Sequence, residues 1–134
     1  FVPERCLITL DRRMLPGETG EEVIEQYREH LSGMEGVEVI VHTPRLSDNA
    51  METPADSPFV HAVSAVLGEL GLEGAPAGVP FGCDATKLHR DGIPSLIFGP
   101  GSIDQAHAAV EYVDLDQVEF ALEFYRRFLL SYPS

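Results

Sequence analysis

His107 is the residue around which chemistry is most readily built in this sequence. It follows Phe98-Gly99-Pro100-Gly101-Ser102-Ile103-Asp104-Gln105-Ala106 and leads into Glu111-Tyr112-Val113. Ser95-Leu96-Ile97-Phe98 is too short for a helix and reads as a buried strand, closed by Gly99-Pro100-Gly101. Pro100 has no N–H to pair, and the flanking glycines accept backbone shapes that other residues resist. The polar loop then delivers His107 beyond the strand's carboxyl end, where open α/β sheets hold their ligands. An imidazole held there serves as a metal ligand or a general base.

The other candidates each have a plainer reading beside the chemical one. Arg12 and Arg13 close a strand, and an arginine at a strand end is ordinarily a surface ion-pair partner. Gly82-Cys83-Asp84-Ala85 is a glycine turn feeding a short helix whose cap would be Asp84. Three lookalikes are set aside. His89-Arg90-Asp91 mimics a zinc His-x-Asp and a kinase catalytic loop, but it sits at a helix end, and Leu96 stands where the kinase asparagine belongs. Glu21-Glu22 resembles a catalytic pair, yet a capping box accounts for it. Cys6 reads as a core thiol.

The elements that must position these residues follow from periodicity. Cys6 to Arg13 reads as a strand, with Cys6, Ile8 and Leu10 on one face. Thr19 and Glu22 form a capping box for a helix carrying Val23, Ile24, Tyr27 and Leu31 on one stripe. Val37 to Val41 is the next strand, so residues 1–45 read β-α-β. Arg45 to Asp56 is a polar, proline-bearing linker. Ser57-Pro58 opens a helix with Phe59, Val63, Val66, Leu67 and Leu70 inward, ended by Gly71. Ala85 to Arg90 is a short helix stopped by Gly92 and Pro94. The opening strand and loop come next, and Asp114 with Gln117 caps a last helix carrying Val118, Leu122, Tyr125, Phe128 and Leu129. The expected fold class is therefore α/β.

Composition narrows the function. The chain has 134 residues, with 22 acidic against 9 basic and a formal charge of −13. Such a chain repels nucleic acid and anionic membrane, because both are bound through basic patches. It has neither an apolar segment near 20 residues nor a signal-peptide layout, so a soluble cytoplasmic protein is expected. Two cysteines without C-x-x-C spacing imply free thiols.

The run Gly99-Pro100-Gly101-Ser102-Ile103-x-Gln105-Ala106-His107-x-x-x-Glu111-Tyr112-Val113 resembles the closing motif of a known family. It is that of acetylornithine deacetylase, succinyl-diaminopimelate desuccinylase and glutamate carboxypeptidase, the two-zinc amidohydrolases. Gly82-Cys83-Asp84-Ala85 followed by Gly92-Ile93-Pro94 is similar to the family's glycine-(Thr or Cys)-Asp-Ala turn. Val2-Pro3, Asp11-Arg12-Arg13 and Pro16-Gly17-Glu18 look like the middle of its lid.

The resemblance implies a C-terminal fragment: the second half of an α+β lid (β-α-β, 1–45, serving dimerisation), then the C-terminal part of an α/β zinc-peptidase catalytic domain (46–134). It implies that the chain cleaves the amide of an N-acyl amino acid only as part of a larger enzyme and is inactive alone. The cofactor would be two zinc ions, with cobalt as an alternative, and a homodimer is expected. His107 would be one zinc ligand. Arg13 would hold a substrate carboxylate bidentately, with Gly82, Cys83, Gly99 and Gly101 shaping the substrate pocket. An early His-x-Asp, a bridging Asp, a Glu-Glu pair supplying the general base and a further acidic ligand would lie upstream of Phe1. The rival expectation is a non-catalytic dimerisation or binding module, since half a lid leaves strand edges unpaired.

Overall fold

The computed structural model describes residues 2–45 and 47–132. Phe1, Pro133 and Ser134 lie outside the described residues, as does Leu46 of the expected linker. The described helices are α1 (Gly20–Leu31), α2 (Pro58–Glu69), α3 (Ala85–Arg90) and α4 (Leu115–Ser131), with a 3-10 turn at Ile103–Gln105. The chain divides into two units: Phe1–Glu52 with Pro80–Thr86, and Thr53–Val79 with Lys87–Ser134.

The expected α/β class does not form. Among the described residues there is no strand and no sheet, so neither the β-α-β lid of residues 1–45 nor the sheet of an α/β catalytic domain is present. Cys6 to Arg13, Val37 to Val41 and Ser95 to Phe98 contain no strand residue. The reason is that alternation marks a chain suited to a pleated, half-covered surface, while a strand exists only where a neighbour completes its hydrogen-bond ladder. Here no segment does so. Leu7 and Ile8, on opposite faces of the expected strand, are 82% and 74% exposed, so neither face is covered.

The helices arise where local signals suffice. Thr19 and Glu22 make the reciprocal capping box, with Thr19 Oγ1 accepting from the Glu22 N–H and the Glu22 carboxylate accepting from the Thr19 N–H. Val23 is buried on α1, and Ile24, Tyr27 and Leu31 are half-buried beside it, the stripe the sequence reads. On α2, Ser57 Oγ accepts from the Val60 N–H at 3.3 Å and Pro58 fills the first helical position, where a missing donor costs nothing. Gly71, at φ +80, lets the chain turn away after α2. Ser64 on α2 donates to the Gly74 carbonyl at 2.6 Å; a Cβ at Gly74 would lie 2.7 Å from the Ser64 Cα, so the returning chain needs glycine there.

The core of the second unit is the seam between α2 and α4. Val63, Val66 and Leu67 meet Phe124, which is only 2% exposed, and Phe59, Leu70, Leu96, Phe98, Phe120 and Phe128 pack around them. Phe98 lies 4.3 Å from Phe124 between ring centres, and Phe59 meets Phe128 edge-on at 6.0 Å. The expected inward stripe of α4 is corrected here. Phe120, Ala121, Phe124 and Phe128 face the core, while Leu122 and Leu129 are 70% and 76% exposed. The helix is apolar on two faces about a third of a turn apart, and periodicity alone does not say which one meets α2.

Along α4, Glu123 accepts from Arg126 Nε at 2.8 Å and Arg127 Nε at 2.7 Å, and Arg127 reaches Glu69 of α2 at 3.8 Å. The hydrogen bond from Arg126, then that from Arg127, holds the Glu123 carboxyl down at about 2, against an ordinary 4.5. No helix among the described residues is long and apolar enough to cross a membrane.

Two outcomes follow from this packing. Phe124→Ala should destabilise the protein by about 3–5 kcal/mol in urea unfolding, because it empties the centre of the seam. Glu123 has a depressed folded pKa, so its contribution is complete above the unfolded carboxylate's titration near 4.5 and is lost as pH falls through about 2. The drop in urea midpoint between pH 5 and pH 2 should accordingly be smaller in Glu123→Gln than in the wild type.

Candidate functional site

The loop that carries His107 is built outward from the α2–α4 seam. Ser95 is buried, its carbonyl accepts from Thr53 Oγ1, and its own hydroxyl donates to the Ile93 carbonyl at 3.0 Å. Phe98 plugs into the seam against Phe124. From this point the chain leaves the core, and α4 supplies two side chains that hold it. Tyr125 Oη donates to the Phe98 carbonyl at 3.0 Å. Gln117 Oε1 accepts from the Gly101 N–H at 2.7 Å. Gly101 sits at φ +94, and a Cβ there would lie 3.5 Å from Val113 Cγ2, so glycine answers a backbone requirement at this position.

Beyond Gly101 the loop closes on itself. Ser102 Oγ accepts from the Asp104 N–H at 3.3 Å, and the 3-10 turn is sealed by Gln105 N–H to Ser102 carbonyl and Ala106 N–H to Ile103 carbonyl, both 3.0 Å. His107 follows, exposed, with φ +62, and its backbone N–H donates to the Glu111 carboxylate. A lone imidazole in this setting can bind a cation or exchange a proton with whatever approaches it.

Gly99, Gly101 and His107 thus share one anchored loop of the second unit. Gly99 is exposed, with open space where a Cβ would stand. Arg13, Gly82 and Cys83 belong to the first unit. Arg13 is exposed and pairs with Asp11 at 3.4 Å, while its rival Arg12 donates to Glu18. An exposed pair such as Arg13–Asp11 contributes about 0–1 kcal/mol, so the Arg13 guanidinium is not tied down strongly. Gly82 and Cys83 are exposed, and the Cys83 carbonyl accepts from the Thr86 N–H at 3.3 Å and its hydroxyl at 3.1 Å, starting α3. Cys6 and Cys83 are free thiols. Two shallow grooves, about 380 and 580 Å³, run along α1, one beside Val37, Val39, Ile40 and Val41 and the other beside Thr43, Pro44 and Ser47, and none of the six candidate residues lines them.

A metal centre draws on three or four protein ligands. Among the described residues no group of three or more His, Cys, Asp or Glu side chains could hold an ion. The described residues therefore do not make a metal site by themselves, and His107 fits only as one ligand of a larger set. Sequence reasoning also missed residues. The sequence places Gln117 in a helix cap, but Asp114 makes no side-chain cap hydrogen bond and the Gln117 side-chain carbonyl accepts from Gly101. Periodicity puts Tyr125 on the inward stripe of α4, yet it is 44% exposed and its hydroxyl donates to the Phe98 carbonyl. Their eight-residue spacing, two helical turns, was the available signal.

Comparison with known proteins places these residues in context. A family model described as Peptidase family M20/M25/M40 matches residues 13–131. An acetylornithine deacetylase of Myxococcus xanthus is 30% identical over 121 residues, covering 87% of this chain and 30% of that protein. One from Edwardsiella ictaluri (strain 93-146) is 32% identical over 118 residues, 83% of this chain and 28% of that protein. One from Vibrio vulnificus (strain CMCP6) is 26% identical over 133 residues, 95% of this chain and 33% of that protein. The chain thus spans 28% to 33% of the length of these relatives. No solved structure matches it.

The anchoring of the loop by α4 is directly testable. Gln117→Ala should accelerate cleavage after Glu111 by a glutamate-specific protease about fivefold, the worth of one ordinary hydrogen bond, without changing cleavage of α1.

Proposed function

Because the chain belongs to Peptidase family M20/M25/M40, we propose that it is part of a metal-dependent amidohydrolase acting on N-acyl amino acids. The acetylornithine deacetylases it resembles point to a small N-acetyl amino acid as the substrate class. The observation that carries this reading is the His107 loop, which lies inside the matched region and is held at Phe98, Gly101 and His107 itself.

Amide hydrolysis needs an activated water, a polarised carbonyl and a proton for the leaving amine. On this reading the chain's own share is one imidazole, His107, as a ligand to zinc, with cobalt as an alternative. A bound divalent metal would supply Lewis-acid polarisation and a water of lowered pKa. The remaining ligands and the general base belong to parts of the protein beyond the described residues. Arg13 has the chemistry to hold the substrate carboxylate, since a guanidinium grips two oxygens at once and its present pairing with Asp11 is weak. Gly82, Cys83, Gly99 and Gly101 would be further substrate-binding residues. The enzyme would be soluble and cytoplasmic, with a domain boundary at 45/46.

A second reading, a non-catalytic dimerisation module, is favoured by one observation. Leu7, Ile8, Leu10, Val37 and Ile40 are all exposed in segments with strand-like composition, and apolar side chains left uncovered in this way favour pairing with another copy.

The deciding experiment is metal analysis and deacetylation of an N-acetyl amino acid by the full-length protein and its His107→Ala variant. Zinc occupancy should fall in the variant, and activity should drop by more than about 100-fold, beyond the loss usual for outer-shell partners. Unchanged two-metal occupancy overturns the ligand role. A wild-type protein that binds no metal and hydrolyses no N-acyl amino acid, yet dimerises, establishes the second reading.

A further inference from the structure

Among the described residues, His107 is the one non-glycine with positive φ, at +62. A residue bearing a Cβ enters the left-handed region against a steric cost and stays there only when its surroundings hold it. Histidine tolerates this better than most residues, but tolerance does not select one conformation. The backbone before His107 is set by the 3-10 turn, and the Ala108 N–H just after it goes to the Gln105 carbonyl at 3.2 Å. The His107 N–H would point out of this turn unpaired, and the Glu111 carboxylate takes it.

We propose that Glu111 is a positioning residue: its carboxylate, by accepting the His107 N–H, locks the left-handed backbone from which the imidazole is presented. The consequence is geometric. Switching a residue between left- and right-handed backbone redirects its Cα–Cβ bond relative to the chain, so a freed His107 would no longer aim its ring in one direction. A carboxylate suits the task because an ionised acceptor makes a stronger hydrogen bond to an N–H than a neutral one does. The spacing suits it too, since four residues of loop bring the side chain back over the turn it closes. Gln117 at Gly101 and Tyr125 at Phe98 hold the entry to the loop, and Glu111 holds its tip. The inference deepens the proposed function by naming what aims the candidate ligand, and it rests on that reading only for the use to which the aimed ring is put.

Hydrogen–deuterium exchange of the His107 amide, read residue by residue in the full-length protein, tests it without metal or substrate. In Glu111→Ala the His107 amide should exchange about tenfold faster or more, while Glu111→Gln, which keeps a carbonyl acceptor, stays within about threefold of wild type. Amides of α2 and α4 should be unchanged in both. An unaltered His107 rate in Glu111→Ala overturns the proposal, as does a Gln variant that behaves like the Ala variant. Equal acceleration throughout α4 overturns it as well, because that would be general loosening. Failure of the zinc test on His107→Ala would leave the exchange result standing, so the two readings fail separately.

Discussion

The α2–α4 seam around Phe124 is the contact on which the rest of the second unit depends. It is the place where large side chains are removed from water, and burial of that kind is the dominant favourable term in folding. Its second effect is orientational. Once Phe120, Ala121, Phe124 and Phe128 are inward, the rotation of α4 about its axis is set, and with it the positions of Gln117 and Tyr125. Phe98 ties the outgoing chain to the same seam. The loop bearing His107 is therefore aimed by a helix whose own phase was decided by packing elsewhere.

Polar groups refine what packing establishes. The Glu123, Arg126, Arg127 and Glu69 group runs along the rim of the seam, where side chains from 35% to 64% exposed gain little from each single pair. The hydrogen bonds around the loop matter for geometry more than for total stability: each fixes one backbone group of a segment with no regular structure of its own. Such loops, positioned by rigid elements, are where function concentrates. Among its described residues the first unit has no comparable core. Val23 is the buried hydrophobic residue on α1, and the strand-like segments around it expose Leu7, Leu10, Val37 and Ile40.

Much of this was legible in order along the chain. The capping box at Thr19, the Ser57-Pro58 start, the α2 stripe and the short helix at Ala85 are all local devices, each contained in a single short segment of chain, and each formed as read. The glycine-punctuated loop before His107 was legible for the same reason. The strands were not. Cys6 to Arg13 has the right alternation, but its partner would have to come from a distant segment, and alternation carries no information about that partner. The face of α4 is legible only in part: Phe128 belongs to the expected stripe and packs on the core, but Leu122 and Leu129 are as apolar as Phe120 and Phe124. The roles of Gln117 and Tyr125 depend on that choice of face.

The sequence by itself determined the helices, the starting caps of α1 and α2, the exposed loop and the family to which the chain belongs, because these rest on residue types and short spacings. Only the tertiary structure decided that α4 turns its phenylalanines toward α2, that its Gln117 and Tyr125 reach back to the loop, and that His107 stands in a left-handed backbone closed by Glu111. Those outcomes depend on which of several equally apolar surfaces meet, and on hydrogen bonds between groups up to 27 residues apart. Helical periodicity describes each surface alone, and the choice among them is made only when two surfaces are packed together.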